Sequence, residues 1–316
     1  MALLESIGDP TLTMGLAFVA FNIWGGAGEF GEILRWSQTV IDLAAGDPAK
    51  GAGFGFGSPL AIAVAWRSTA RWWLGRPGWR QDLQDAVAMA RNSNHSTTFG
   101  GVVIWTYGAA IPDGVLQADD STVRAIEEAV QTAEASSHDV ALSMAEYTLG
   151  VALLSRDAAA DRHRGLELMA QARDIWLRNQ IGLQMVPVVE LWAARERARR
   201  GDRDAAIPMM RKAVDELHRE GRFGYSVWGT GLLVETLLER GAEGDPAEAQ
   251  EAIDRLANLR TERSSAMLEI TLLRLRALLA RARRDNVAYR DLVSRYRDMA
   301  KTLGFEGHIA WAEAMP

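Results

Sequence analysis

Four stretches of this 316-residue chain repeat one packing pattern at intervals close to forty residues. GLELMAQA (165–172), AIPMMRKA (206–213) and AQEAIDRL (249–256) each set a small residue, a bulky apolar residue four later, and a small or apolar residue three after that. AYRDLVSR (288–295) follows, except for Arg295 at the last position. The starts are separated by 41, 43 and 39 residues. Small Gly165, Ala206, Ala249 and Ala288 let one helix lie close against the next, and Met169, Met210, Ile253 and Leu292 fill the space between them. A pattern with that period describes one supersecondary unit that stacks on copies of itself.

The rest of the chain agrees. EYTLGVALL (146–154), ELWAARERA (190–198) and LLRLRALLARA (272–282) carry apolar residues at three- and four-residue steps. No alternating β-branched run is long enough for a strand. Earlier units are blurred, with Leu83/Val87/Ala90 and Thr122/Ile126/Ala129 fitting loosely. GEFGEIL (28–34) and GDRDAAI (201–207) read as openings of second helices, and GDP recurs at 8–10, 46–48 and 244–246. Glycine closes one element, aspartate caps the next, and proline suits its first position. The expectation is an all-α, right-handed superhelical solenoid of about seven antiparallel hairpins, forming a single helical-repeat domain over 1–316. The hairpins fall at 1–45, 58–93, 96–136, 137–179, 183–220, 224–260 and 263–303, with 304–316 as a C-terminal cap. ALLESIG (2–8) reads as the end of a helix begun earlier, whereas GFEGHIAWAEAMP (304–316) reads as a finished closing helix.

Composition narrows the function classes. The chain has no cysteine, which removes disulfides and thiolate metal sites and fits a reducing compartment. Net charge is −6, with −8 in residues 1–150 and +2 in the remainder, so neither part carries a basic nucleic-acid footprint. LAFVAFNIW (16–24) and PLAIAVAW (59–66) are too short to span a bilayer, and the start has no signal-peptide pattern. A cytoplasmic protein with no membrane partner and no direct nucleic-acid partner is expected.

The motif that most invites a catalytic reading is KGAGFGFGSPL (50–60). A P-loop needs its lysine after the glycines, between a strand and a helix. Here Lys50 precedes them, and RWSQTVIDLAAGDP (35–48) before it is helical in pattern. The stretch reads as a joint in which Ser58 caps and Pro59 starts the next helix. Eleven tryptophans raise a second question. Packing between hairpins, with Arg67, Arg71 and Arg76 stacked over rings, is favoured over an aromatic ligand groove. If a groove or partner-binding surface exists, its candidate residues are Trp66, Arg67, Trp73, Trp105, Tyr107, Arg195 and Trp228. The run RERARRGDRD (195–204) and the arginines at 274, 276, 281, 283 and 284 read as solvated basic faces. The five histidines, at 95, 138, 163, 218 and 308, form no metal spacing, and SSHD (136–139) sits on no nucleophile elbow. No catalytic, metal or cofactor residue is expected in this chain.

Gly150 after Leu149, together with the forty-residue units, resembles the tetratricopeptide class of helical repeats in a degenerate form, although the other hairpins lack that Leu-Gly pair in their first helix, which leaves HEAT-like or irregular helical hairpins open. Longer strings resemble a more specific family: GSPLAIAVAWRSTARWWLGRPGWRQDLQDAVAMAR (57–91), ARERARRGDRDAAIPMMRKAV (194–214), LLVETLLERGAEGD (232–245) and GFEGHIAWAEAMP. Together they are similar to the C-terminal helical region of actinobacterial proteins that join a class III adenylyl or guanylyl cyclase domain to a P-loop ATPase domain. The resemblance implies a non-catalytic regulatory module of a larger signalling protein. Its concave face would bind a protein or peptide, or the protein's own catalytic domains. The alternative is a small-effector sensor, as in the helical tails of LuxR-type ATPase transcriptional regulators. An open apolar groove would favour the first, and an enclosed pocket with converging polar groups the second.

Overall fold

A computed structural model describes residues 8–53, 57–93, 95–259 and 265–316, so the ALLESIG reading falls, apart from Gly8, outside the described residues. Every regular element among them is helical, and none is a strand. The helices are α1 (Pro10–Ala27), α2 (Phe30–Ala44), α3 (Pro59–Trp73), α4 (Trp79–Asn92), α5 (Ser96–Trp105), the single turn α6 (Tyr107–Ala110), α7 (Asp120–Ser136), α8 (Asp139–Leu154) and α9 (Ala159–Asn179). They continue as α10 (Val186–Arg199), α11 (Arg203–Arg219), α12 (Phe223–Arg240), α13 (Asp245–Ala257), α14 (Ala266–Ala282), α15 (Asn286–Leu303) and α16 (Glu306–Glu313). No described helix is long and apolar enough to cross a membrane.

The caps explain many of these boundaries. Side chains of Ser58, Asp119, Asp202, Ser265 and Asp285 each accept a hydrogen bond from the main-chain N–H three residues on, satisfying a donor that the first turn leaves unpaired. Asp9 does the same for Thr11, two residues on, at the first GDP. At the last GDP, Asp245 accepts from the Ala242 N–H, and Arg240 grips it through two nitrogens.

Burial also corrects the repeat register. Ala206 and Ala249 are fully buried. In α15 the buried counterpart is Tyr289, not Ala288. Accordingly Tyr289, Val293, Tyr296 and Ala300 form the buried face of α15, and the predicted positions Ala288 and Leu292 are only half-buried. The exception at Arg295 was a one-residue slip, and the aligned position is the buried Tyr296.

The chain divides into two compact units. The first holds residues 1–25, 29–112 and 118–181; the second holds 26–28, 113–117 and 182–316. In the first, α3 packs on α4, α5 on α7, and α8 on α9, while α3, α5 and α8 also touch in sequence. In the second, α10 packs on α11, α12 on α13, and α14 on α15, while α12 touches both α10 and α14. Ion pairs tie alternate helices together at nearly constant offset. Arg91 meets Glu128 and Arg164 meets Glu127, each 37 residues away. Arg211 meets Glu248, also 37 away, and Arg255 meets Asp215, 40 away. Surface pairs of this kind contribute little to stability, but their spacing comes within a few residues of the small-then-bulky pattern.

The joint at 50–60 takes the reading given to it where it is described. Lys50 donates to the carbonyl of Leu43 at the end of α2 (2.5 Å). Ser58 caps α3, and its N–H donates to Thr98 Oγ1 (3.0 Å). Phe54, Gly55 and Phe56 lie outside the described residues.

Candidate functional site

The candidate groove residues fall into both units. In the first, Trp66 and Trp73 are buried. Trp66 stacks on Trp105 with centroids 5.6 Å apart, and Trp105 meets Phe18 at 5.1 Å. Trp73 lies flat on Phe30 at 4.6 Å. Tyr107 is half-buried, and burial raises its phenol pKa against the opposing pull of Arg91. Arg67 does not stack over a ring. Its guanidinium forks onto the buried Asp82 (2.8 and 3.0 Å) and reaches Gln38 (3.0 Å), and Arg71 joins the same carboxylate at 2.7 Å. Trp66, Arg67, Trp73 and Trp105 thus have partners within the unit.

Arg195 and Trp228 belong to the second unit, where the surroundings differ. Three adjacent helices supply the lining. On α10, Trp192 and Arg195 are three residues apart and share a face, and the guanidinium lies over the Trp192 ring at 5.1 Å. On α12, Tyr225, Trp228, Gly231 and Glu235 fall within one third of the helix circumference. Trp228 meets Trp192 with centroids 4.8 Å apart. On α14, Arg274 donates to Glu235 (2.6 Å) and lies over the Trp311 ring of α16 at 4.2 Å.

The far side is closed by the segment Asp113–Gln117. Its Gly114 and Val115 carbonyls accept from the N–H groups of His308 and Glu306, so the segment is bound to the first turn of α16. Gly114 has a left-handed backbone (φ +66°), and a Cβ there would lie 2.4 Å from the Trp311 ring. Only glycine allows that approach. His308 is buried, with Nδ1 hydrogen-bonded to the Tyr296 hydroxyl (2.8 Å). Burial and then the Arg274 charge push its pKa down to about 3, so its ring is neutral.

Several polar groups of this lining lack protein partners. Among the described residues, Arg195 makes neither a hydrogen bond nor an ion pair, and Asp113 and Tyr225 have side chains equally unpaired. All three keep accessible surface. Burial, followed by Arg199, brings Arg195 down to about 10. Burial alone raises Asp113 to about 8, and burial then Asp113 raise Tyr225 to about 12. Gly231 lies on the face of α12 that carries Tyr225, Trp228 and Glu235. It is buried, yet the nearest atom that a Cβ would meet is Glu235 Oε1 at 4.0 Å. Space therefore lies above it, beside Trp228 and Glu235.

The arrangement offers unpaired polar groups at Arg195 and at the neighbouring pair Tyr225 and Asp113. It offers no metal set, since no described group of three or more His, Asp or Glu could hold an ion. A separate cavity of about 230 Å³ lies against α15 and α16, lined by Arg297, Lys301, Ile309, Ala312 and Glu313. There Arg297 is already engaged by the carbonyls of Ala312 and Met315.

Sequence reasoning singled out Arg195 and Trp228 but missed Asp113, Tyr225, Gly231, Glu235, Arg274 and Trp311 as neighbours. One signal was available: Arg274 interrupts the apolar run of α14, on a helix whose neighbours at 273 and 275 are buried. No protein-family model matches the chain, and no curated protein matches it.

Proposed function

We propose that the chain is a non-catalytic regulatory module that reads a small effector in the recess of its second unit. The observation that carries this reading is that Arg195, Asp113 and Tyr225 of the second unit keep accessible surface while their side chains have no hydrogen-bond or ion-pair partner among the described residues. Desolvating polar groups costs free energy unless something satisfies them, and a bound ligand does so. Each unit is read as a right-handed, tetratricopeptide-like stack of helical hairpins, about seven in the chain. The forty-residue pattern and the 37-residue ion-pair offsets support that. Within the family resemblance, the module would bias a nucleotide cyclase or ATPase domain joined to it, without contributing a cofactor or a catalytic group. Coupling of that kind is typically about 1–3 kcal/mol.

A second reading, docking of a protein or peptide partner, is favoured by one feature of the first unit. Leu16, Val19 and Ile23 form an exposed apolar stripe along α1, at 37%, 51% and 64% exposure. Native mass spectrometry separates the two. The chain is dialysed against the small-molecule fraction of its source cell and then desalted. The effector reading expects a bound mass below about 1 kDa, the size class of pocket ligands, together with a raised melting temperature. A bare chain with unchanged melting counts against it.

A further inference from the structure

We infer that the hollow over Gly231 binds a small monoanion, a carboxylate above all, whose charge pairs with Arg195. This inference rests on the effector reading and names the ligand's chemistry.

The charge balance of the recess points to an anion. The charged groups that act on Arg195 are Arg199 and Glu196 on its own helix, Glu235 on α12 and Arg274 on α14. Glu196 is held by Arg200 (3.1 Å), and Glu235 by Arg274 (2.6 Å). Both nearby carboxylates are therefore committed, and Arg195 is left with only the Trp192 ring beneath it. A guanidinium is planar, always charged, and shaped to take a carboxylate through two parallel hydrogen bonds. Supplying that partner offsets the desolvation that the recess imposes on Arg195.

The same balance limits the anion's charge. Among the described groups here Arg195 is the guanidinium left free, and Glu235 stands beside it. A dianion such as a phosphate monoester would place its second charge near that carboxylate, and the other cations, Arg199 and Arg274, already have partners. The hollow limits position and size. Its floor is Gly231, and Glu235 Oε1 at 4.0 Å is the one neighbour near the missing Cβ. By contrast, a Cβ at Gly229, two residues back on the same helix, would lie 2.9 Å from Leu191 and 3.3 Å from Val214. The space over Gly231 is local to the face that carries Trp228 and Glu235. Tyr225, on the same face, adds an unpaired hydroxyl for a polar group on the ligand's other end.

The test uses the full chain and three matched probes: benzoate, its neutral isostere benzamide, and phenyl phosphate. The indole Nε1–H resonances of Trp192 and Trp228 report binding by NMR. Benzoate is expected to shift them with an affinity on the order of millimolar, as suits a fragment of that size. Benzamide and phenyl phosphate should each bind about tenfold more weakly or worse, the value of one charge-assisted pair. Arg195→Gln should weaken benzoate by a similar factor and leave benzamide unchanged. Gly231→Leu, which fills the hollow, should abolish benzoate binding in a chain that melts no lower than wild type. Benzamide binding as tightly as benzoate overturns the inference, as does benzoate binding that survives Arg195→Gln, or no indole shift at all. A cellular small molecule that stabilises the Arg195→Gln chain as well as wild type would keep the effector reading and overturn the anion assignment alone.

Discussion

The Cβ that Gly150 lacks would lie 3.0 Å from the carbonyl oxygen of Gly165, and the Cβ that Gly165 lacks would lie 3.0 Å from the carbonyl of Gly150. The two glycines mark the closest crossing of α8 and α9. A helical carbonyl cannot step aside as a flexible side chain can. Gly150→Ala must therefore push the helices apart, and it also drives into Met169 Cγ at 2.8 Å. Overpacking of this kind costs about 1–3 kcal/mol, of which better helix propensity returns about 1. Calorimetry should show a lower melting temperature for Gly150→Ala than for wild type.

Gly231→Ala should do the opposite. It is also an interior helical glycine, but its Cβ has room. The gain expected is about 0.5–1 kcal/mol, from restricting the unfolded chain and improving propensity. Thermal melting of the variant settles it, and a loss of stability would mean that the hollow is filled.

Glu146 sets a pH dependence. It is 8% exposed, its Oε2 has no hydrogen-bond partner, and burial, then Glu134, raises its pKa from 4.5 to about 7. Below pH 4.5 the group is protonated in folded and unfolded chains alike. As pH climbs from about 4.5 to 7 the unfolded chain gives up this proton while the folded chain keeps it, so stability falls across that window and levels off above it. Glu146→Gln removes the dependence. Denaturant titrations should give nearly equal stabilities at pH 4.5, and at pH 8 the variant should be more stable by about 2 kcal/mol.

Asp82 holds two cations. Its side chain is 4% exposed and meets Arg67 and Arg71 at 2.8 and 2.7 Å. Asp82→Ala leaves both guanidiniums without that carboxylate at the α3–α4 contact. Breaking a buried pair costs about 3–5 kcal/mol. Because the arginines keep some solvent, about 2–3 is expected here. The loss should show as a reduced urea midpoint at unchanged slope.

Much of the helical order was legible because caps and small residues act locally. Ser58-Pro59, Asp202 and Asp245 announce their helices, and Ala206 and Ala249 mark buried crossings. The register of α15 slipped by one because Ala288 looks like its counterparts, although Tyr289, Val293 and Tyr296 are the residues that are buried. The candidate site was legible only in part. Trp66, Arg67 and Trp73 have the same composition cues as Arg195 and Trp228, but their partners, Phe30 and Asp82 among them, lie within the first unit. Whether an arginine meets a carboxylate depends on helices 40 residues away. Arg274 finds Glu235 that way, and Arg195 does not. Gly231 gives no local sign of the space above it, since Gly229 beside it is tightly packed.

Amide hydrogen exchange on the full chain tests the central claim most directly. It is run with the small-molecule fraction of the source cell and, separately, with the protein fraction. If the recess reads an effector, the small-molecule fraction slows exchange in α10, α12 and α14, and Gly231→Leu cancels the effect. If exchange there is unchanged by small molecules while the protein fraction protects α1 around Leu16, Val19 and Ile23, the effector account is contradicted and the module docks a protein instead.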